Sequence, residues 1–229
     1  MIKHYLVGGA VRDRLMGVRS KDLDYAVEAL SYTAMVEWIK ERGTIFLEQP
    51  QYWTVRAKLN GGEPADFVLC RKDGQYSDGR RPDSVEPGTL LDDLARRDFT
   101  VNAIAYDEAN DAYIDPFNGR AYIEANILVC VGDARERFSE DALRLLRAIR
   151  FSITKGFELG TDIQGCLTHP DLAERLAETV STERKREELE RCFAFSTPRT
   201  LAALAQYPRI AEACFKNGGI WLLPTMRKA

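Results

Sequence analysis

The residues best suited to chemistry lie near the start of the sequence. Tyr5, Leu6 and Val7 form an apolar run that ends in Gly8-Gly9, and Arg12 follows within one helical turn. Glycine has no Cβ, so backbone N–H groups in such a turn can approach an anion closely. A helix that starts behind the turn points its N-terminus at a phosphate, and Arg12 adds a charged fork. Asp22 and Asp24 flank Leu23 and lead into Tyr25-Ala26-Val27, which reads as a strand. Residues two apart on a strand share a face, so the two carboxylates would sit side by side. Paired hard oxygens suit a Mg²⁺ ion that also holds substrate phosphates, and two such ions can run an in-line displacement at phosphorus. Each pattern also has a bland reading, because Gly-Gly is common in turns and Asp-x-Asp on surfaces. Their order and closeness make the chemical reading the more specific one.

Three later stretches add charged groups. Ala65 to Cys70 reads as a strand and sets Asp66 inside an apolar run. A buried carboxylate is costly unless paired or metal-bound, whereas one on a surface strand is not. Thr89 to Tyr106 reads as one helix, opened by Thr89 after Pro87-Gly88, and carries Asp93, Arg96, Arg97, Asp98 and Asn102. A guanidinium suits phosphate and a carboxylate suits ribose hydroxyls; the plain alternative is a solvated charge cluster. Ser139 to Phe151 reads as a helix with apolar residues at 142, 145, 146 and 149. On it Asp141 and Arg144 would share a face, and Glu140 would reach Arg144 one turn away. The plain reading there is an intrahelical salt-bridge ladder.

Taken together, the motifs resemble those of the class II tRNA nucleotidyltransferase and bacterial poly(A) polymerase family, within the polymerase-beta-like nucleotidyltransferases. The matching residues are Gly8-Gly9-Ala10-Val11-Arg12-Asp13, Leu15-Met16-Gly17, Asp22-Leu23-Asp24 and Arg96-Arg97-Asp98-Phe99-Thr100-Val101-Asn102-Ala103. They continue with Asp115-Pro116-Phe117-Asn118-Gly119, with Glu140-Asp141 and Arg144 before Ala148-Ile149-Arg150-Phe151, and with Ser181-Thr182-Glu183-Arg184. The resemblance implies an α+β fold: a nucleotidyltransferase head over residues 1–132, with a mixed or antiparallel sheet flanked by helices, then an all-helical neck over 133–229. It implies Mg²⁺ held by Asp22 and Asp24, with Asp66 as the candidate third catalytic carboxylate. Gly8, Gly9 and Arg12 would cradle the phosphates, and Arg97, Asp98 and Asn102 would lie near the triphosphate and ribose. Asp141 and Arg144 would act as a protein template for cytosine or adenine, with Arg147 and Arg150 as further nucleotide-binding residues. GTP and UTP present a reversed donor–acceptor edge, which the same pair would reject.

The implied activity is addition of CCA to the 3′ end of tRNA from CTP and ATP without a nucleic-acid template. The family also holds poly(A) polymerases and enzymes that add CC or A alone, and a non-catalytic RNA- or nucleotide-binding module is the remaining alternative. A long charged loop over Arg71 to Asp93, with Tyr76 to Pro82 intact, favours full CCA addition over CC addition. Asp115 is expected to be structural, with Asn118 replacing the first of two glycines in a turn that asparagine tolerates. The segment from Ser181 is expected to brace the template helix. Family members typically continue through body and tail helices that hold tRNA. Few residues follow the neck here, so a compact variant, a homodimer or an accessory RNA-binding partner is expected.

The bulk composition sets the frame for these elements. With 32 basic and 35 acidic residues the net charge is −3, which excludes a basic nucleic-acid coat. Residues 1–132 hold 16 basic and 21 acidic groups and residues 133–229 hold 16 and 14, so the acidic excess lies with the candidate metal carboxylates. Five scattered cysteines without a Cys-x-x-Cys read as buried free thiols in a reducing, cytoplasmic setting. Cys166 and His169 lack the second pair that a zinc site needs, and His4 reads as a strand-end residue. No signal peptide and no bilayer-length apolar run are expected, hence no membrane. Ser31 to Arg42 reads as an amphipathic helix covering the sheet, and Thr44–Leu47 and Thr54–Leu59 as strands. Ala121 to Val131 reads as a strand pair closing the head. Asp171–Glu178 and Thr197–Ala213 read as helices.

Overall fold

The computed structural model describes residues 2–20, 22–74 and 84–216. They form two compact units, residues 2–74 with 84–124, and residues 125–216. The first unit runs β1 (Lys3–Val7), α1 (Gly9–Leu15), β2 (Asp24–Glu28), α2 (Tyr32–Lys40), β3 (Gly43–Gln49), β4 (Thr54–Leu59) and β5 (Pro64–Leu69). It continues through β6 (Arg71–Asp73), β7 (Val85–Pro87), α3 (Leu90–Ala95), β8 (Ala105–Asp107), β9 (Ala112–Ile114) and α4 (Gly119–Glu124). Among the described residues a seven-stranded sheet has the order β3-β4-β5-β2-β1-β8-β9. Only β2 and β5 run parallel; the other neighbours are antiparallel, so the sheet is mixed, as expected.

Alternation along the strands decides which face is covered. In β5, Ala65, Phe67 and Leu69 are buried while Asp66 and Val68 are less so, and in β4 Val55 and Ala57 are buried while Arg56 and Lys58 are exposed. The buried set packs with Val27 of β2 against Met35, Val36 and Ile39 of α2. Fully burying side chains of this size contributes about 1.5–3 kcal/mol each. Ser31 caps α2 by accepting from the Ala34 backbone N–H. The other polar positions of β4 and β5 therefore face away from α2.

Three expected elements differ. Thr89 does cap a helix, with Asp92 completing a reciprocal capping box, but α3 ends at Ala95. The chain then makes a 3-10 turn at Thr100–Asn102 and enters β8. Residues 119–124 are helix rather than strand, and Ile127–Leu128 pairs with a strand of the second unit. The ends of the expected loop over 71–93 pair as the antiparallel ladder of β6 and β7. Residues 75–83, with the whole motif over Tyr76 to Pro82, lie outside the described residues, as does the segment from Gly218 to Met226.

The second unit runs β10 (Ile127–Leu128), α5 (Ala134–Glu140), α6 (Leu143–Thr154), β11 (Glu158–Leu159), α7 (Thr161–Thr168), α8 (Pro170–Thr179), α9 (Thr182–Phe195), α10 (Thr197–Gln206) and α11 (Pro208–Phe215). Apart from the short β10–β11 ladder it is helical. The expected helix over 139–151 is broken at Asp141, and the stretch over 197–213 is two helices. The five cysteines are buried free thiols. Among the described residues no helix is long and apolar enough to cross a membrane.

Candidate active site

Strand register gathers the first set of charges. Arg56 pairs with Asp66 across β4 and β5, and Asp66 with Asp24 across β5 and β2. Register partners share a face, so the three form one row across adjacent strands on the side away from α2. β2 starts at Asp24, so Asp22 lies just ahead of the strand rather than within it. Its charge still reaches Asp24. Burial and the neighbouring charge of Asp66 hold the Asp24 carboxyl above the ordinary range, Asp22 adds to this, and Arg97 and Arg56 work against it.

Carboxylates held in mutual repulsion are relieved by a divalent cation. Among the described residues no group of three or more His, Cys, Asp or Glu side chains closes into a protein-only metal cage. A magnesium-type ion does not require one, because it keeps waters and takes substrate phosphates as ligands. The donor set of Asp22 and Asp24 fits such an ion.

β1 brings the glycine turn to the same place, since Val7, its last residue, is the register partner of Asp24. Gly8 has φ +71°, which other residues rarely adopt, and a Cβ there would stand 2.9 Å from Arg97 Nη1. The glycine thus serves both the turn and the close seat of the Arg97 guanidinium. Asp93 fixes that guanidinium, with Oδ2 accepting from Arg97 Nη2 at 2.9 Å while Oδ1 accepts from Arg96. Asp93 is only 1 % exposed. Burial pushes its pKa up, but the charges of Arg97 and Arg96 outweigh this and hold it low. Arg97 Nη1 also donates to the Asn102 carbonyl, and its Nε is buried without a hydrogen-bond partner among the described residues.

Arg12 sits differently from expectation. Its guanidinium is buried, donates to Asp13 Oδ1 at 2.7 and 2.9 Å, and donates to Asn102 Oδ1 at 2.6 Å. Asn102 Nδ2 donates in turn to Asp98 Oδ1, which also accepts from the Phe99 backbone N–H. The result is a buried chain from Asp13 to Asp98 that ties α1 to the turn after α3. Arg12 acts there as a strut, with Nη2 3.4 Å from where a Gly9 Cβ would stand. Asp115, for which a structural role is expected, accepts from the backbone N–H groups of Gly119 and Arg120. Asn118 adopts φ +56°. A Cβ on Gly119 would meet the Thr100 carbonyl oxygen at 2.2 Å, which explains why glycine follows it.

In the second unit Asp141 is extended, and its Oδ1 accepts from the Leu143 backbone N–H at 3.1 Å. Aspartate there competes with the helix for backbone groups and separates α5 from α6. Arg184 of α9 holds the same carboxylate at 2.9 Å. Arg144 donates to Glu140 and to the Arg137 carbonyl, each at 2.9 Å. The Asp141–Arg144 pair therefore straddles a break instead of sharing one helix face. Arg150 and Arg147 both turn to Glu188, which is buried on α9. Ser181 occupies the N-cap of α9 but makes no side-chain cap bond among the described residues.

Several of these partners are not legible in the sequence. Arg56, Asp93 and Glu188 became partners through tertiary structure; Arg184 was expected to brace the helix but not to grip Asp141. The Asp93 pairing had a readable signal, its spacing to Arg96 and Arg97 on one helix. Arg56 had none, because register between strands distant in sequence is not local information.

A mixed sheet with flanking helices and a glycine turn beside a carboxylate row, followed in the chain by a helical unit, define a nucleotidyltransferase head followed by helices. A family model described as the poly A polymerase head domain matches residues 4–129, more than half of the chain, and the chain belongs to that family. Nucleotidyltransferases of this family typically use divalent metals. A CCA-adding enzyme of Geobacillus kaustophilus (strain HTA426) is 39% identical over 199 residues, which are 83% of this chain and 45% of that protein. A crystal structure of the Bacillus stearothermophilus CCA-adding enzyme in complex with CTP matches 90% of this chain and 48% of its own, with a TM-score of 0.76 and 36% identity. The Thermotoga maritima CCA-adding enzyme complexed with tRNA matches 94% of this chain and 48% of its own, with a TM-score of 0.73 and 26% identity. The chain spans about half the length of the curated relatives it matches.

Proposed function

We propose that this chain transfers nucleotidyl groups from CTP and ATP to the 3′ end of RNA, and that its acceptor is tRNA, which receives CCA. The observation that carries this reading is the convergence of Asp24, Asp66, the Gly8 turn and Arg97 on one side of the sheet. Asp22 and Asp24 would hold Mg²⁺. When bound, that ion lowers the pKa of the RNA 3′-hydroxyl and offsets charge developing at the α-phosphate.

The remaining work falls to the chain's own groups. Arg97 offers a buried Nε–H beside the turn, without a hydrogen-bond partner among the described residues and suited to a phosphate oxygen. Arg12 contributes positive potential from beneath the turn and keeps Asn102 and Asp98 in place, so that Asp98 can meet a ribose hydroxyl. In the second unit Asp141 and Arg144 read the base edge, with Arg184 holding Asp141. Arg147 and Arg150, drawn to Glu188, support that helix. The reading places the protein in the cytoplasm, and further chain, a second copy or an RNA-binding partner would complete the grip on tRNA.

The test is an extension assay with purified protein, Mg²⁺ and a tRNA lacking its CCA end. NTPs are supplied singly and as CTP plus ATP. Addition of C, C and then A is the expected result. Long A tails on many RNAs would replace it with a poly(A) activity, CC alone with a CC-adding one, and no incorporation would overturn the reading.

A further inference from the structure

The row on the sheet contains a cation of its own. Arg56 Nη1 stands 3.1 and 3.2 Å from the two oxygens of Asp66, so both face the same guanidinium nitrogen. Asp66 is in register with Asp24 on its other side. An ion that recruits Asp66 alongside Asp24 must therefore displace Arg56 or share the carboxylate with it. The pair is accessible enough for exchange, with side chains 49% and 34% exposed.

We propose that Arg56 is an internal counter-ion that competes with a divalent cation for Asp66 and so weakens metal binding to the nucleotide-free protein. This rests on the reading of Asp22 and Asp24 as metal ligands. Arg56 is a positioning residue here, not a catalytic one. Metal would then bind productively when it arrives with a triphosphate, whose negative charge compensates for the share of Asp66 that Arg56 retains.

The test is direct binding of Mn²⁺ to nucleotide-free protein, read from the free-ion electron paramagnetic resonance signal. Arg56→Gln should tighten binding about three- to tenfold, the range for a half-exposed ion pair with added relief of repulsion. Arg56→Lys should fall between it and wild type. The gain should vanish in Arg56→Gln/Asp66→Asn and shrink at high salt. Unchanged binding in Arg56→Gln, with Asp24→Asn weakened, overturns the counter-ion role and leaves the metal ligands standing. Unchanged binding in Asp24→Asn overturns the ligand assignment and the proposal with it. Binding too weak to detect in both wild type and Arg56→Gln also overturns the proposal, whereas its appearance only in Arg56→Gln supports it.

Discussion

Asp24 and Glu188 are both drawn out of solvent, and their surroundings treat them in opposite ways. Asp24 is raised in pKa by burial and by Asp66, with Arg97 and Arg56 compensating only in part. Glu188 draws in Arg150, Arg147 and Arg191. Its neighbours follow the same rule: Asp141 is held by Arg184, and Glu140 pairs with Arg144 and Arg137. Glu188, Asp141 and Glu140 of the second unit are paired with arginines, while Asp24 keeps a raised pKa beside Asp66. Residual repulsion marks the place where chemistry is expected.

Asp24→Asn is the sharpest way to break this contrast. Transfer should fall by about a thousandfold or more, the scale expected when a ligand to the metal's charge is lost. Thermal stability at neutral pH should rise. A raised folded pKa contributes stability that is fully present below the unfolded value and lost as pH rises through the folded one. Ionised Asp24 is therefore a liability at pH 7 that asparagine removes. A gain of a few degrees is expected, since about 1 kcal/mol shifts Tm by roughly 2–4 °C at this size. The two proteins should converge below the ordinary carboxyl value of 3.8. A lower Tm for Asp24→Asn at pH 7 would refute the contrast. Glu188→Ala should do the reverse, because it removes the buried carboxylate toward which Arg150, Arg147 and Arg191 converge. A loss of about 3–5 kcal/mol is expected, visible as a Tm fall on the order of 10 °C. A shift under a degree would show that Glu188 is not the anchor of the helical unit.

What the sequence made legible follows from what is local. Gly8, Asp24 and Arg97 each sit in a contiguous motif, and the fold brings the three motifs close together. Two expected helices run through breaks in the structure, and the breaks have a feature in common. Asp98 and Asp141 each sit in a run with helical periodicity, and each takes a following backbone N–H, from Phe99 and Leu143. A short acceptor side chain that bonds forward diverts the backbone, which hydrophobic periodicity does not register. Asp141 before an apolar run was the available cue for a helix start. The Arg56–Asp66–Asp24 row needed the crossover that sets β5 beside β2, information that no single stretch of chain contains.

A smaller effect sharpens the role of the second unit. If Asp141 reads the base and Arg184 only holds it, Arg184→Met should relax selection of CTP over UTP about tenfold, the scale of one charged hydrogen bond. Incorporation from mixed nucleotides measures this. Maximal rate with saturating CTP should change less than selection does. Equal losses with both nucleotides would make Arg184 a folding residue only.

The smallest expected effect tests how firmly the sheet site is held from α3. Thr89 and Asp92 cap that helix reciprocally: Thr89 Oγ1 accepts from the Asp92 backbone N–H, and Asp92 Oδ2 accepts from the Thr89 backbone N–H at 2.8 Å. Losing such a cap costs about 1 kcal/mol. The cost of Thr89→Ala should sit at the lower end, because Glu28 independently accepts from the Leu90 backbone N–H at 2.7 Å. The hydrogen bonds from Thr89 hold Asp92 below the ordinary carboxyl pKa. That contribution is present above the unfolded value and is lost as pH falls through the folded one. The stability gap between wild type and Thr89→Ala should therefore narrow as pH falls through that depressed value. Since α3 also carries Asp93, which seats Arg97 against Gly8, the KM for nucleotide should rise about two- to threefold with kcat nearly unchanged. A change in kcat without KM would mean that Arg97 is held by Asn102 and the glycine turn, with α3 a bystander.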